Sequence, residues 1–166
     1  MCSAVSVKLS GGDKLLTQLK KMSKKGRVTA GFYKDAKYED GTQVATVAAA
    51  NNFGTVESGG FIPPRPFFDD AIKENKDKWL KNYDRALVNT DYDVDKALHL
   101  VGEQMRSDII RKIDVNNYEP NAESTIRQSD NPHKEPLKDT YHMMRSVGYQ
   151  VNDESPQYSS SGNNGD

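Results

Sequence analysis

Cysteine is almost absent from this chain: Cys2 is the one cysteine in 166 residues, which excludes an internal disulfide and any cysteine-based zinc site. Such usage fits synthesis in a reducing cytoplasm. Long apolar runs are missing as well. Nothing approaches the roughly 20 residues that span a bilayer, and the N-terminal MCSAVSVKLSGGDK lacks a charged region followed by an apolar core. Neither a secreted nor a membrane-embedded chain is expected. Charge of one sign is not in excess either, since 23 basic residues face 24 acidic ones for a net charge of -1. That balance argues against gripping nucleic acid through a general basic surface, while leaving room for a local patch. With 35% hydrophobic residues and a mean hydropathy of -0.82, the chain can bury one modest core and leave much of itself solvated or at interfaces.

Catalytic signatures are lacking too. There is no G-x-x-x-x-G-K-[ST], H-E-x-x-H or G-x-S-x-G sequence and no dinucleotide fingerprint. His99, His133 and His142 are scattered, and none has a second histidine three or four residues on. Asp91, Asp93 and Asp95 alternate like the start of a calcium loop, but the glycine and glutamate that such a loop needs further on are missing, so helix capping is the better reading. No catalytic residue, cofactor-binding residue, cofactor or metal ligand is assigned, and a non-enzyme is expected.

What is present is organised around residues 44–68, VATVAAANNFGTVESGGFIPPRPFF. The alanine-rich start, with Val44, Val47 and Ala48 on one face, predicts a short helix stopped by Gly54 and entered through Thr42 as N-cap. Residues 55–60 read as a mobile polar loop. In Ile62-Pro63-Pro64-Arg65-Pro66 the prolines hold the chain extended, so that Arg65 is expected to project from a stiff rod. Two readings stay open for it: a structural arginine satisfying carbonyls under the loop, or an interface arginine held out for a partner carboxylate.

In chain order, alternation of Val5, Val7 and Leu9 predicts a strand over 4–9. Leu15, Leu16, Leu19 and Met22 mark a helix from Asp13 to Lys25, whose Lys14, Lys20, Lys21, Lys24 and Lys25 make either a solvated face or, more weakly, a nucleic-acid contact. A second strand follows from Val28 to Phe32, with its pairing direction left open. Phe68, Ile72, Trp79, Tyr83 and Leu87 predict a helix of about six turns, and Val94, Leu98, Val101, Met105 and Ile109 a second, forming an αα-hairpin. Gly102 is expected where another backbone comes close. Residues 116–138 lose all periodicity, carry Pro120, Pro132 and Pro136, and offer Tyr118, Ile126 and Leu137 as anchors for an arm that orders on binding. Asp139 and Thr140 read as the N-cap of one helical turn, and Val147, Tyr149 and Val151 as a last strand.

The order of small-residue helix, N-F-G-T turn, glycine-bearing loop and I-P-P-R-P-F-F resembles the tail-completion, or neck, proteins of tailed bacteriophages, the minor tail component family, with its A-A-x-x-E-F-G-T and I-P-x-R-P-F segments. Pro136-Leu137-Lys138-Asp139-Thr140-Tyr141-His142-Met143-Met144-Arg145-Ser146 is similar to that family's P-L-x-D-T-G-x-L-x-x-S. Asn52 stands where the family usually has an acidic residue, and Tyr141 where it usually has glycine. The resemblance spans residues 1–152.

The expected fold is α+β: a small, mostly antiparallel sheet of about three or four strands packed against the alanine-rich helix and the αα-hairpin, with extended loop arms. Residues 1–152 make one domain, and 153–166 a polar tail that is disordered alone. The resemblance implies a structural virion protein in the neck region of the tail, a ring subunit joining head connector to tail around the DNA channel. Its implied partners are copies of itself, as a hexamer, a head-side connector or stopper protein, and a tail terminator or tail tube protein. Genomic DNA would pass without sequence-specific binding, and no membrane is involved. Pro63, Pro64, Arg65, Tyr118, Ile126, Leu137, Asp139 and Thr140 are the expected interface residues; Lys20, Lys21, Lys24 and Lys25 are weaker candidates for the channel. The alternatives are a DNA-binding or DNA-processing accessory, and a tail-assembly chaperone absent from the mature particle.

Overall fold

Segments with helical apolar spacing become α1 (Gly12–Met22), α2 (Val44–Phe53), α3 (Phe67–Asn89) and α4 (Val94–Val115), with one further turn, α5 (His142–Arg145). Alternating segments become β1 (Val28–Phe32) and β4 (Val147–Val151), and two short strands, β2 (Thr55–Glu57) and β3 (Gly60–Ile62), complete the described elements. The structure, a computed structural model, describes residues 12–57, 60–115, 118–120, 137 and 141–158. The expected strand at 4–9 lies outside them.

The fold is α+β. β1 and β4 pair antiparallel, with Val28 opposite Val151 and Phe32 opposite Val147, and the α3–α4 pair packs against this ribbon. β2 and β3 make a separate antiparallel ribbon, so the described strands form two two-stranded sheets rather than one larger sheet. Thr55–Glu57 and Gly60–Ile62 are therefore paired strands, where composition suggested a loop over 55–60. Val56 sits directly opposite Phe61, and such cross-strand apolar pairs stabilise short ribbons.

The main core joins elements far apart in sequence: Val44 and Ala48 of α2, Phe67 and Ala71 of α3, Ile109 and Ile113 of α4, Met143 of α5 and Val147 of β4. A second cluster, Val94, Leu98 and Val151, lies by the other end of the hairpin with Val28, Tyr83 and Leu87 around it. In α3 the buried stripe is Phe67, Ala71, Asn75, Trp79 and Ala86, which corrects the expected one: Trp79 is inside, but Ile72 is exposed and Phe68, Tyr83 and Leu87 are half-buried. Small side chains let α4 come close, and Asn75 satisfies itself by donating to the Ala71 carbonyl (2.9 Å). Gly102 marks a close approach as expected, though to a ring rather than a backbone: a Cβ there would stand 2.3 Å from Tyr149 Cδ2.

Two local expectations are corrected. Gln43, not Thr42, is the residue at the start of α2; the Thr42 N–H instead donates to Asp40 Oδ1 (2.9 Å) in the preceding turn. The tail is not free from residue 153 onward. Gln157 exchanges backbone hydrogen bonds with Tyr149, and the Tyr158 hydroxyl donates to Asp35 Oδ1 (2.7 Å) while its ring covers Gly148. One aromatic in a polar segment anchors it. Residues 159–166 lie outside the described set.

Candidate interface

Arg65 is turned inward. It is 3% exposed, and its guanidinium is spent on the chain itself: Nη1 donates to Asn51 Oδ1 (2.9 Å), Nε to the Glu119 carbonyl (3.0 Å) and Nη2 to the Pro120 carbonyl (3.4 Å). Its own N–H donates to the Asn51 carbonyl (2.7 Å). This corrects the expected projection and matches the structural alternative. The proline segment lies against the domain with Pro63 buried and Pro64 exposed, and the five-donor fork of arginine ties the end of α2 to residues 119–120.

The same end holds Tyr118, half-buried, whose hydroxyl donates to Asp70 Oδ2 (2.9 Å); burial and then that carboxylate push its phenol well above the ordinary value. Leu137 packs against the main core with a left-handed backbone (φ 66°). Ile126, Asp139 and Thr140 lie outside the described residues, as does most of the expected arm.

Asn52 is buried at the start of α3. Its Oδ1 accepts from the Phe68 N–H (3.0 Å) and its amide donates to Asp69 Oδ2 (2.7 Å), so it satisfies one of the helix's orphan donors. Tyr141, at the entry to α5, is left-handed (φ 55°), a conformation that glycine adopts without a steric cost.

The lysine candidates divide. Lys21 Nζ bonds Asp91 Oδ2 (3.2 Å), joined there by Gln18 (2.9 Å), and Lys24 pairs with Asp95, all in the α3–α4 connection or the first turn of α4. Hydrogen bonds from Gln18 and Lys21 hold the Asp91 carboxyl below its usual range. Lys20 and Lys25 are exposed. Asp93 accepts from the Lys96 N–H (3.2 Å), so this acidic run caps a helix and anchors α1 instead of making a cation loop. No helix among the described residues is long and apolar enough to cross a membrane, and no described group of three or more His, Cys, Asp or Glu is placed to hold a metal.

Three features were not read from the sequence. Phe53 is 71% exposed, Val56 85% and Phe61 64%, an apolar display at the β2–β3 end. Leu15, Leu16, Leu19 and Met22, which line one face of the expected helix, are 48% to 58% exposed, and α1 buries none of its residues. Asp108, 3% exposed between the long helices, accepts from Trp79 Nε1 (2.9 Å), Lys78 Nζ (3.0 Å), Gln104 (3.1 Å) and Arg111 (2.8 Å). Burial pushes its carboxyl up, and the hydrogen bonds from Trp79, Lys78 and Gln104 outweigh that and leave it below the ordinary value. No family model, curated protein or solved structure matches this chain.

Proposed function

We propose that this chain is a structural ring subunit of a tailed-phage neck, a tail-completion protein that joins the head-side connector to the tail and performs no catalysis. The observation that carries the reading is the convergence of its two family-like segments. Val44, Ala48 and Phe67 from the first share one core with Met143 from the second and with Val147, and Leu137 and Met144 pack on that core. The two departures from the family pattern also have a physical account. Tyr141 holds the backbone conformation for which glycine is suited, and Asn52 accepts from the Phe68 N–H as a carboxylate could, while its amide donates to Asp69 as a carboxylate could not. Exposed apolar surface at Phe53, Val56, Phe61 and along α1 is what a subunit that functions only in an assembly presents.

The accessory DNA-binding reading loses ground because Lys21 and Lys24 are committed to Asp91 and Asp95. The test is genetic. Removing the chain from the phage that makes it should leave DNA-filled heads and finished tails unjoined, with joining restored by adding the protein to the two in vitro. Unfilled heads would point to DNA processing, and missing tails to a tail chaperone; either result overturns the proposal.

A further inference from the structure

α1 is an amphipathic helix attached by its polar side. Gln18, Lys21 and Lys24 bind Asp91 and Asp95, while Leu15, Leu16, Leu19 and Met22 face away from any described neighbour that would bury them. At the opposite end of the helix pair, Val56 and Phe61 stand side by side on one face of the β2–β3 hairpin, with Phe53 just before it. The two displays are kept apart within one chain. α1 is tied to the connection after α3, the hairpin leads into the start of α3, and the 23 residues between span about 35 Å.

The geometry points to a head-to-tail contact in which the apolar face of α1 in one copy receives the Phe53/Val56/Phe61 surface of the next. Charge favours this pairing over like with like. With Lys21, Lys24 and Arg27 set against Asp91, Asp95 and Asp153, residues 12–27 keep Lys14, Lys20 and Lys25 against Asp13, whereas residues 51–70 carry Glu57, Asp69 and Asp70 against Arg65. An α1–α1 contact would bring two basic helices together, and a hairpin–hairpin contact two acidic ends. A heterologous contact uses both surfaces in every copy and closes into a ring when the rotation per subunit allows. The occupant is a second copy of this chain; the inference rests on the ring reading above and specifies which surfaces make the ring.

Leu19→Asp and Phe61→Asp test it, because each removes one half of the contact at an exposed position. Circular dichroism first checks that both variants fold as the wild type does; sedimentation and native mass spectrometry then give the stoichiometry. The wild type should self-associate, each variant alone should be monomeric with an association weakened by about a hundredfold or more, and an equimolar mixture of the two should form a dimer and nothing larger. The dimer is the decisive species, since Leu19→Asp retains a good hairpin and Phe61→Asp a good α1. Self-association of either variant, or a mixture that stays monomeric, overturns this interface while leaving a ring built by other surfaces standing. A wild type that is monomeric at every concentration overturns both. Two further results would each overturn the interface by assigning the face of α1 elsewhere. One is Leu19-dependent binding to phosphatidylglycerol vesicles without self-association. The other is a marked loss of folding stability in Leu19→Asp, which would mean that the face is covered within one chain.

Discussion

Replacing Asp108 should weaken the fold at a place that the protein itself reports on. The carboxylate is buried between α3 and α4 and meets four donors, but these do not weigh equally. The Lys78 and Arg111 side chains are 42% and 62% exposed, so water takes over when the carboxylate is lost, and each contributes little. Trp79 is buried, and its N–H would be left without an acceptor at a cost of about 1–3 kcal/mol. With the half-buried Gln104 amide added, Asp108→Ala should lower stability by about 2–4 kcal/mol. Asp108→Asn keeps an amide oxygen for Trp79 and should cost about 1–2 kcal/mol. Trp79 is the one tryptophan in the chain, so urea unfolding followed by its fluorescence reads the perturbed site directly. The pH dependence has a fixed sign. The folded carboxyl lies below its ordinary value, so the wild type's advantage over Asn is fully present above the unfolded carboxyl's pKa of about 3.9 and is lost as pH falls through the lower folded value. A loss under about 0.5 kcal/mol for Asp108→Ala, or a gap to Asn that persists unchanged into strong acid, would refute the reasoning.

Arg65→Ala should cost about 2–3 kcal/mol and speed hydrogen exchange at Tyr118 and Glu119, with Arg65→Lys recovering less than half because one ammonium cannot reproduce the three-way fork; unchanged exchange would mean the strap is not needed. Gly102→Ala should destabilise by about 1–3 kcal/mol, with a change in the near-ultraviolet signal of Tyr149, because its methyl collides with that ring. Tyr141→Gly should stabilise by about 0.5–1 kcal/mol, relief of the left-handed backbone exceeding the added chain entropy; a lower melting temperature would show that the tyrosine ring contributes packing.

Elements whose periodicity was complete within a few residues were legible in the sequence. The alternations at Val28–Phe32 and Val147–Val151 became the paired strands, and the two long amphipathic runs became the αα-hairpin. Which strands would pair was not legible, because β1 and β4 meet across most of the chain and no local turn fixes their register. Apolar spacing also says that a face exists without saying what covers it: α1 has the pattern of a core helix and buries nothing. In α3 the stripe was read from large residues, while close packing against α4 selects Ala71, Asn75 and Ala86. Polar residues hid most completely. For Arg65 the structural reading was open but its acceptors, up to 55 residues away, were not nameable, and Asp108 on a charged helix looks like a solvent group until the fold brings its donors together. The short β2–β3 hairpin was masked by its serine and glycines, although Val56 and Phe61 already carried its cross-strand pair.

The central claim is that the chain is a permanent part of the head–tail junction, and the most direct measurement is an image of purified particles with this subunit labelled. The account predicts label at the neck of every intact particle, resolving on averaging into one closed ring of identical copies around the channel. Mature particles without label, with the protein found only in infected cells during tail assembly, would contradict it.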